Sequence, residues 1–126
     1  KGAKVVTVHG ETIVEPVPGG TNLAAIQAGA DILAHPGLIT EAEVLLAKKN
    51  GVLLEITARR GHSLTNGHVA RLAVKCGARL VYNTDSHSPG DFTPWETAIR
   101  IIRGAGLSDR DAARMQGNAR ELVEGK

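Results

Sequence analysis

Short runs of β-branched and aliphatic residues alternate along this chain with longer segments whose apolar residues recur at helical spacing. Apolar runs of this length bounded by polar and glycine-containing turns are typical of buried strands, and the longer segments are typical of helices. The pattern predicts strands at residues 5–8, 31–34, 52–57 and 79–83, and helices at residues 21–28, 40–49, 66–76, 95–104 and 108–123.

Residues that favour helix ends stand at the borders of these segments. A hydroxyl side chain at the N-cap accepts a hydrogen bond from an unpaired backbone N–H, and a glycine after the last turn adopts the left-handed conformation easily. Ser108 is followed three residues later by Asp111, which predicts a capping box. The predicted N-caps are Thr21, Thr40 and Ser108, and the predicted stops are Gly29, Gly51 and Gly77.

The strands and helices alternate with a period of roughly 20 to 30 residues, which is the length that a helical crossover between parallel strands requires. The order predicts an α/β fold of parallel βα units. Spacing alone allows either an open sheet or half of a closed barrel.

The composition fits one domain or part of one, because the chain has 126 residues, 42% of them hydrophobic. Aliphatic side chains must fill the core, since only one Phe, one Tyr and one Trp are present. A formal charge of +2 disfavours a nucleic-acid surface. We expect no membrane span and a cytoplasmic location, and the single cysteine, Cys76, excludes an internal disulfide. The absence of an initial Met suggests a fragment.

Polar residues follow each predicted strand. His9 comes after the first strand, His35 after the second, and Asp85 with His87 after the fourth. The carboxyl ends of parallel strands lie on one face, where active sites of α/β proteins are built. Imidazole and carboxylate groups are ligands for zinc, iron and manganese. We therefore predict that these four residues bind metal, although each in isolation is more simply a turn or surface residue.

The loop after the third strand carries a different chemistry. Arg59, Arg60 and His62 crowd together there without an adjacent carboxylate. Guanidinium groups bind phosphate oxygens bidentately, so Arg59 or Arg60 could orient a phosphoryl group. Of the residues in this loop, we predict Arg59 and His62 as the substrate contacts. A solvated basic loop is the alternative.

Three glutamates and one further histidine are less decisive. Glu55 lies inside the third strand, where a carboxylate is costly unless it faces the mouth of a barrel or has a partner such as an Arg. Glu11 and Glu15 flank the loop after His9; Glu11 could reach a metal, but solvated carboxylates explain both. His68 is expected on the surface of the third helix.

Four segments in this order resemble the later motifs of the PHP (polymerase and histidinol phosphatase) superfamily. They are Val8-His9-Gly10-Glu11, Leu33-Ala34-His35-Pro36-Gly37, Leu54-Glu55-Ile56 and Asn83-Thr84-Asp85-Ser86-His87-Ser88. The resemblance covers nearly the whole chain and is strongest to archaeal-type proteins related to histidinol phosphatase.

The resemblance implies a distorted seven-stranded, TIM-like (βα) barrel whose mouth holds two or three divalent ions of zinc, manganese or iron. On this basis His9, His35, Asp85 and His87 match metal ligands of the family. Arg59 falls in a loop that can contact phosphate in such enzymes.

The chain departs from the family at its start, because it contains no H-x-H motif. Residues 1–126 are therefore interpreted as the carboxyl-terminal portion of a single PHP domain, the second half of its barrel. Four strands cannot close such a barrel, so we expect the amino-terminal half or a second copy of the chain to pair with it.

The resemblance favours metal-dependent hydrolysis of a small phosphomonoester, as in histidinol phosphatase. Two alternatives stay open. One is a polymerase-type PHP nuclease, which the near-neutral charge and scarcity of aromatic residues disfavour. The other is a non-catalytic PHP-like binding module that resembles a protein subunit of ribonuclease P.

Overall fold

Four parallel strands form one sheet, and helices connect them. The structure is a computed structural model and describes residues 5–84 and 94–125. The strands are β1 (Thr7–His9), β2 (Ile32–Ala34), β3 (Leu53–Thr57) and β4 (Leu80–Asn83). The helices are α1 (Thr21–Gln27), α2 (Glu41–Asn50), α3 (Asn66–Cys76), α4 (Trp95–Gly104) and α5 (Asp109–Glu124), with a 3₁₀ turn at His62–Thr65 before α3.

The strands lie side by side in the order of the sequence, β1-β2-β3-β4, and every pair is parallel. The register places Leu33 beside Val8 and Leu54, and Leu54 beside Leu80. The predicted α/β fold of parallel βα units is thus confirmed. Within the described residues the sheet is open, with β1 and β4 at its edges, and closure into a barrel is not observed.

Alternate residues of the strands face two different hydrophobic clusters. Leu33, Leu54 and Ile56 belong to the larger cluster, to which α1, α2 and α3 contribute. Ile32, Leu53 and Val81 lie on the opposite face, which we call the inner face, together with Ala119 and Leu122 of α5. Because β2 and β3 are covered on both faces, both strands are buried along their whole length.

The helix borders agree with the sequence except at α1. Thr40 and Ser108 are N-caps as predicted, and Ser108 forms the predicted capping box with Asp111. Thr40 also forms a capping box, with Glu43. Thr21 was predicted as an N-cap, and this prediction is wrong. Gly20 takes that position with φ 92°, and the Thr21 hydroxyl donates a hydrogen bond backward to the Pro18 carbonyl at 2.6 Å. The left-handed turn at Gly20 therefore starts the helix without a side-chain cap.

No helix within residues 5–84 and 94–125 combines the length and apolar character that crossing a bilayer requires.

Two glycines let the loops after β1 and β2 pack directly against each other. The Gly10 N–H donates to the Ala34 carbonyl at 2.7 Å, and a Cβ added at Gly10 would lie 2.5 Å from that oxygen. Gly37 has φ 65°, and a Cβ there would lie 1.9 Å from the Glu11 carbonyl oxygen. Side chains at these positions would separate the loops, so both glycines are needed to bring the carboxyl ends of β1 and β2 together.

We predict that Gly37→Ala destabilises the protein much more than Gly29→Ala. Gly29 is the matched control because it also has a positive φ, 78°, but nothing lies within 4 Å of an added Cβ. Left-handed backbone alone costs about 1–2 kcal/mol at Gly29, while Gly37→Ala adds an overpacking cost of about 1–3 kcal/mol. Urea unfolding of both variants measures the difference. Equal losses of unfolding free energy would contradict the close packing of the two loops.

Candidate metal centre

Three histidines from three different loops meet at the carboxyl end of the sheet. His9 ends β1, His35 follows β2, and His62 begins the 3₁₀ turn after β3. One ligand nitrogen from each lies within 4.8 Å of the other two. The rings of His35 and His62 stack with centroids 4.0 Å apart and planes 6° apart, and His9 meets His35 edge-on at 4.3 Å. The grouping of three imidazoles is compatible with a metal site.

His35 is held in a strained backbone conformation by a buried carboxylate. Its φ of 30° is unusual for a residue other than glycine and costs on the order of 1–3 kcal/mol. Glu55 Oε1 accepts two hydrogen bonds from it, one from the backbone N–H at 2.9 Å and one from Nδ1 at 3.1 Å. Since a carboxylate only accepts, the hydrogen of the neutral ring resides on Nδ1, and Nε2 carries a lone pair.

His35 Nε2 has no hydrogen-bond partner among the described residues, although it is fully buried. A buried polar atom without a partner costs free energy, so such an atom in a native protein calls for an explanation. In a neutral ring with its hydrogen on Nδ1, Nε2 carries a lone pair, and a neutral imidazole nitrogen of this kind binds metal ions. A metal ion at the histidine cluster would satisfy it.

The buried carboxylate of Glu55 also calls for a positive charge nearby. It is 3% exposed, and its other oxygen, Oε2, accepts a hydrogen bond from Asn83 Nδ2 at 3.2 Å. The sequence left open whether Glu55 faces the mouth of a barrel or has a partner such as an Arg, and the structure gives it His35 and Asn83 as partners. A buried carboxylate is costly unless positive charge lies nearby. A divalent ion on His35 would provide that charge in the carboxylate–histidine–metal arrangement that is common in metalloproteins.

His62 is positioned by contacts on both sides of its loop. Its Nδ1 lies 2.6 Å from the Thr12 hydroxyl, and the ring is buried. Asn66 fixes the preceding end of β3, because its side-chain amide pairs with both the N–H and the carbonyl of Thr57 at 3.1 and 2.8 Å. His62 Nε2 lies 3.8 Å from Glu15 Oε2. The hydrogen bond between Nδ1 and the Thr12 hydroxyl thus orients the ring.

His9 is the exposed member of the cluster, with 49% of its side chain accessible to solvent. Its Nδ1 lies 3.0 Å from the Gly10 carbonyl oxygen, and its Nε2 lies 3.1 Å from Glu15 Oε1. As in His35 and His62, Nδ1 is bonded within the protein, which leaves Nε2 as the candidate ligand atom.

A cavity of about 600 Å³ runs from the cluster along the inner face of the sheet. His9, His35 and Glu55 line its polar end. Apolar side chains of the sheet and of α5, among them Ile32 and Leu122, line the other end. The cavity can therefore accept a small molecule with one polar and one apolar end.

The structure brings together some of the residues predicted from sequence. His9 and His35 meet as expected. His62 was predicted to contact substrate and is found stacked on His35. Arg59 lies in the same loop as His62 and is partly buried, and its predicted phosphate contact stays a prediction. The other two predicted ligands, Asp85 and His87, lie outside the described residues.

Two residues serve purposes other than those expected from sequence. Glu11 does not reach the cluster as a ligand; its Oε2 accepts a hydrogen bond at 2.8 Å from the backbone N–H of Asn22 in the first turn of α1. His68 is half-buried rather than on the surface, with Nε2 2.7 Å from the Ile39 carbonyl.

Asn22 is a site residue that the sequence did not reveal. Its side chain is 2% exposed, accepts a hydrogen bond from the Glu11 N–H at 2.9 Å and donates one to the Pro36 carbonyl at 2.8 Å. It therefore ties the loop after His9 to the loop after His35. In the sequence it is simply a polar residue near a helix start, and only the crossing of the two loops gives it a role.

Comparison with known proteins connects the chain with phosphatase-like proteins. No protein-family model matches it. An uncharacterised protein of Methanocaldococcus jannaschii is 47% identical over 111 residues, which are 87% of this chain and 51% of that protein. A protein of Shewanella amazonensis named a probable phosphatase is 32% identical over 66% of this chain and 38% of its own length. Another of that name, from Thermoanaerobacter sp. strain X514, is 27% identical over 63% and 37%. The chain spans about half or less of the length of these relatives.

A solved structure shares the fold. A chain in the cryo-EM structure of archaeal ribonuclease P with mature tRNA superposes with a TM-score of 0.74 at 18% sequence identity. The match covers 96% of this chain and 57% of that one. At this identity the likeness concerns the fold alone.

We predict that Asn22→Ala lowers the free energy of unfolding by about 1–3 kcal/mol, because the Glu11 N–H and the Pro36 carbonyl would lose their buried partner. Asn50→Ala is the matched control, since Asn50 makes one longer hydrogen bond, 3.2 Å to the Ile26 carbonyl, at a partly buried site away from the histidines. Urea unfolding compares the two. If Asn22→Ala lowers the free energy of unfolding no more than Asn50→Ala does, the link between the two loops is not important for stability.

Proposed function

We propose that the protein is a metal-dependent phosphoesterase that hydrolyses a small phosphomonoester, with the histidine cluster as part of its metal centre. The observation that carries this proposal is the buried Glu55–His35 pair, which leaves His35 Nε2 without a hydrogen-bond partner among the described residues, in a ring that contacts the rings of His9 and His62. A turn or surface histidine needs neither a buried carboxylate behind it nor two imidazoles in front of it.

The residues present fit a first-row divalent ion. Three neutral imidazoles suit zinc, manganese and iron, and their bonded Nδ1 atoms fix the rings for coordination through Nε2. We propose Asp85 and His87 as further ligands, as the resemblance to PHP proteins implies. Asp85 comes two residues after Asn83, whose side chain is bonded to Glu55. Such a set would hold two or three ions.

The bound ions would supply Lewis acidity and a water of lowered pKa. The chain's own residues have separate tasks. Glu55 keeps the His35 hydrogen at Nδ1, and the Asn83 amide orients the Glu55 carboxylate. We propose that Arg59 pairs with a phosphate oxygen and that the cavity on the inner face receives the rest of the substrate. A histidinol-phosphate-like substrate, with one charged and one less polar end, fits such a cavity.

The relatives named probable phosphatases support this proposal, because they cover about two thirds of the chain. Their greater length supports a second proposal. The sheet has two open edges, and unpaired strand edges favour addition of further strands. We propose that an amino-terminal half, or a second copy of the chain, pairs with the sheet to form a TIM-like barrel, and that the protein acts in the cytoplasm.

A binding or assembly module is the second candidate, and the fold shared with a chain of the ribonuclease P structure favours it. A module of that kind has no need for the Glu55–His35 pair, so the two candidates differ in metal binding. A PHP-type nuclease is the third candidate, which the net charge of +2 disfavours.

We predict that the full-length protein, loaded with zinc or manganese, hydrolyses small phosphomonoesters and loses this activity in a chelator. His35→Asn should lower turnover at least about 100-fold, because it removes a ligand while Asn tolerates the positive φ at this position. His68→Asn is the control, since His68 is bonded to the Ile39 carbonyl outside the cluster.

Three outcomes would contradict the proposed phosphoesterase activity or favour one of the other candidates. Hydrolysis that a chelator does not affect would exclude the metal mechanism. Degradation of labelled single-stranded DNA without turnover of small phosphates would favour the nuclease. Absence of bound transition metal after gentle purification, measured by elemental analysis, would favour the binding module.

We predict that Glu55→Gln lowers metal affinity but leaves the stability of the metal-free protein nearly unchanged. Gln keeps an acceptor for His35 but removes the negative charge, so metal affinity should fall about 10- to 100-fold. The metal-free protein should unfold within about 1 kcal/mol of the unsubstituted protein, because a buried charge is removed as well. Metal titration and urea unfolding measure the two effects. Unchanged affinity would show that Glu55 does not act through His35 on the metal.

A further inference from the structure

We infer that Glu15 is a carboxylate ligand of this metal centre, on an ion that it shares with His9 and His62. The inference rests on the proposed metal site and adds a residue that the sequence pattern did not assign. Glu15 lies in the loop after β1, with about half of its side chain exposed. Its two oxygens face the Nε2 atoms of His9 and His62.

One of the two Glu15–histidine distances is that expected for ligands of one ion, and the other is somewhat longer. Metal–ligand bonds to imidazole nitrogen and carboxylate oxygen measure about 2.0–2.1 Å, so two ligands on one ion lie roughly 2.9 Å apart in octahedral and 3.3 Å apart in tetrahedral geometry. Glu15 Oε1 lies 3.1 Å from His9 Nε2, within this range. Oε2 lies 3.8 Å from His62 Nε2, so a small rotation of the exposed side chain brings it into range.

Both ring nitrogens of His9 face hydrogen-bond acceptors. Its Nδ1 faces the Gly10 carbonyl, and its Nε2 faces the Glu15 carboxylate. Both groups only accept hydrogen bonds, whereas a neutral imidazole has a single N–H. A metal ion between His9 Nε2 and Glu15 would give both of them a partner. With a metal there, Nδ1 donates to Gly10, and both lone pairs facing the ion are satisfied.

The loop that carries Glu15 is fixed to the loop that carries His62. The Thr12 hydroxyl is bonded to His62 Nδ1. A Cβ added at Gly61 would lie 3.3 Å from the side chain of Val14, so this valine packs directly over the residue before His62. Glu15 follows Val14 in the chain and is thus delivered to the cluster. By contrast, the carboxylate of Glu11, on the same loop, is taken up by the start of α1.

A carboxylate among the ligands has consequences for the choice of metal. It lowers the charge of a divalent complex to +1 and supplies oxygen beside nitrogen, which favours manganese or iron as well as zinc. Each protein ligand fills one position of the coordination shell, so a water molecule binds more readily to an ion that accepts five or six ligands. We therefore expect activity to be highest with an ion of higher coordination number.

The test compares Glu15→Gln, Glu15→Asp and the control Glu124→Gln in the full-length protein, with Co²⁺ and Mn²⁺ as probes. Glu124 is an exposed carboxylate one turn beyond Glu121, which pairs with Arg79 before the start of β4, at the opposite end of the sheet. Competition titrations give the dissociation constants, and the visible absorption of bound Co²⁺ reports its coordination.

We expect Glu15→Gln to weaken binding at least about 10- to 100-fold and to shift the Co²⁺ spectrum. Glu15→Asp should bind with intermediate affinity, and Glu124→Gln should behave as the unsubstituted protein. Equal affinity and an identical spectrum in Glu15→Gln would overturn the inference while leaving the histidine site intact, even if hydrolysis fell. Failure of the unsubstituted protein to bind either ion would overturn the metal site itself.

Discussion

The hydrogen-bonded pair of Glu55 and His35 is the interaction on which the site depends. One carboxylate oxygen accepts hydrogen bonds from both the backbone N–H and Nδ1 of His35, a residue with φ 30°, and Nε2 has no hydrogen-bond partner among the described residues. Without this pair neither the backbone strain nor the buried carboxylate would be offset. The pair also joins three strands, because Glu55 belongs to β3, His35 follows β2, and Asn83 of β4 donates to Glu55. The position of the cluster is therefore coupled to the sheet itself.

Much of the fold could be predicted from the sequence, because local signals and tertiary packing agree. The apolar runs became the four strands, and Thr40 and Ser108 cap their helices as their spacing indicates. The exception is Thr21, where the backbone freedom of Gly20 decided the start of the helix. Whether the sheet closes depends on strands that pair with its edges, and the spacing of residues within the chain carries no information about such pairing.

The site was predictable only in part. The rule that carboxyl ends of parallel strands converge was sufficient to bring His9 and His35 together. It could not distinguish a ligand from a substrate contact for His62, because the stacking on His35 depends on how residues 58–62 bend after β3. The same rule could not predict which of two carboxylates on one loop, Glu11 or Glu15, faces the histidines. The contact of Glu11 with Asn22 and the packing of Val14 on Gly61 determine which one faces the histidines.

X-ray absorption at the zinc K-edge tests the central claim most directly, when the full-length protein is loaded with one equivalent of zinc. The account predicts a first shell of nitrogen and oxygen at about 2.0–2.1 Å, with the outer-shell scattering of several imidazoles. A sulfur ligand at about 2.3 Å, which would implicate Cys76, or a hydrated ion without imidazole scattering, would contradict a metal centre built on His9, His35 and His62.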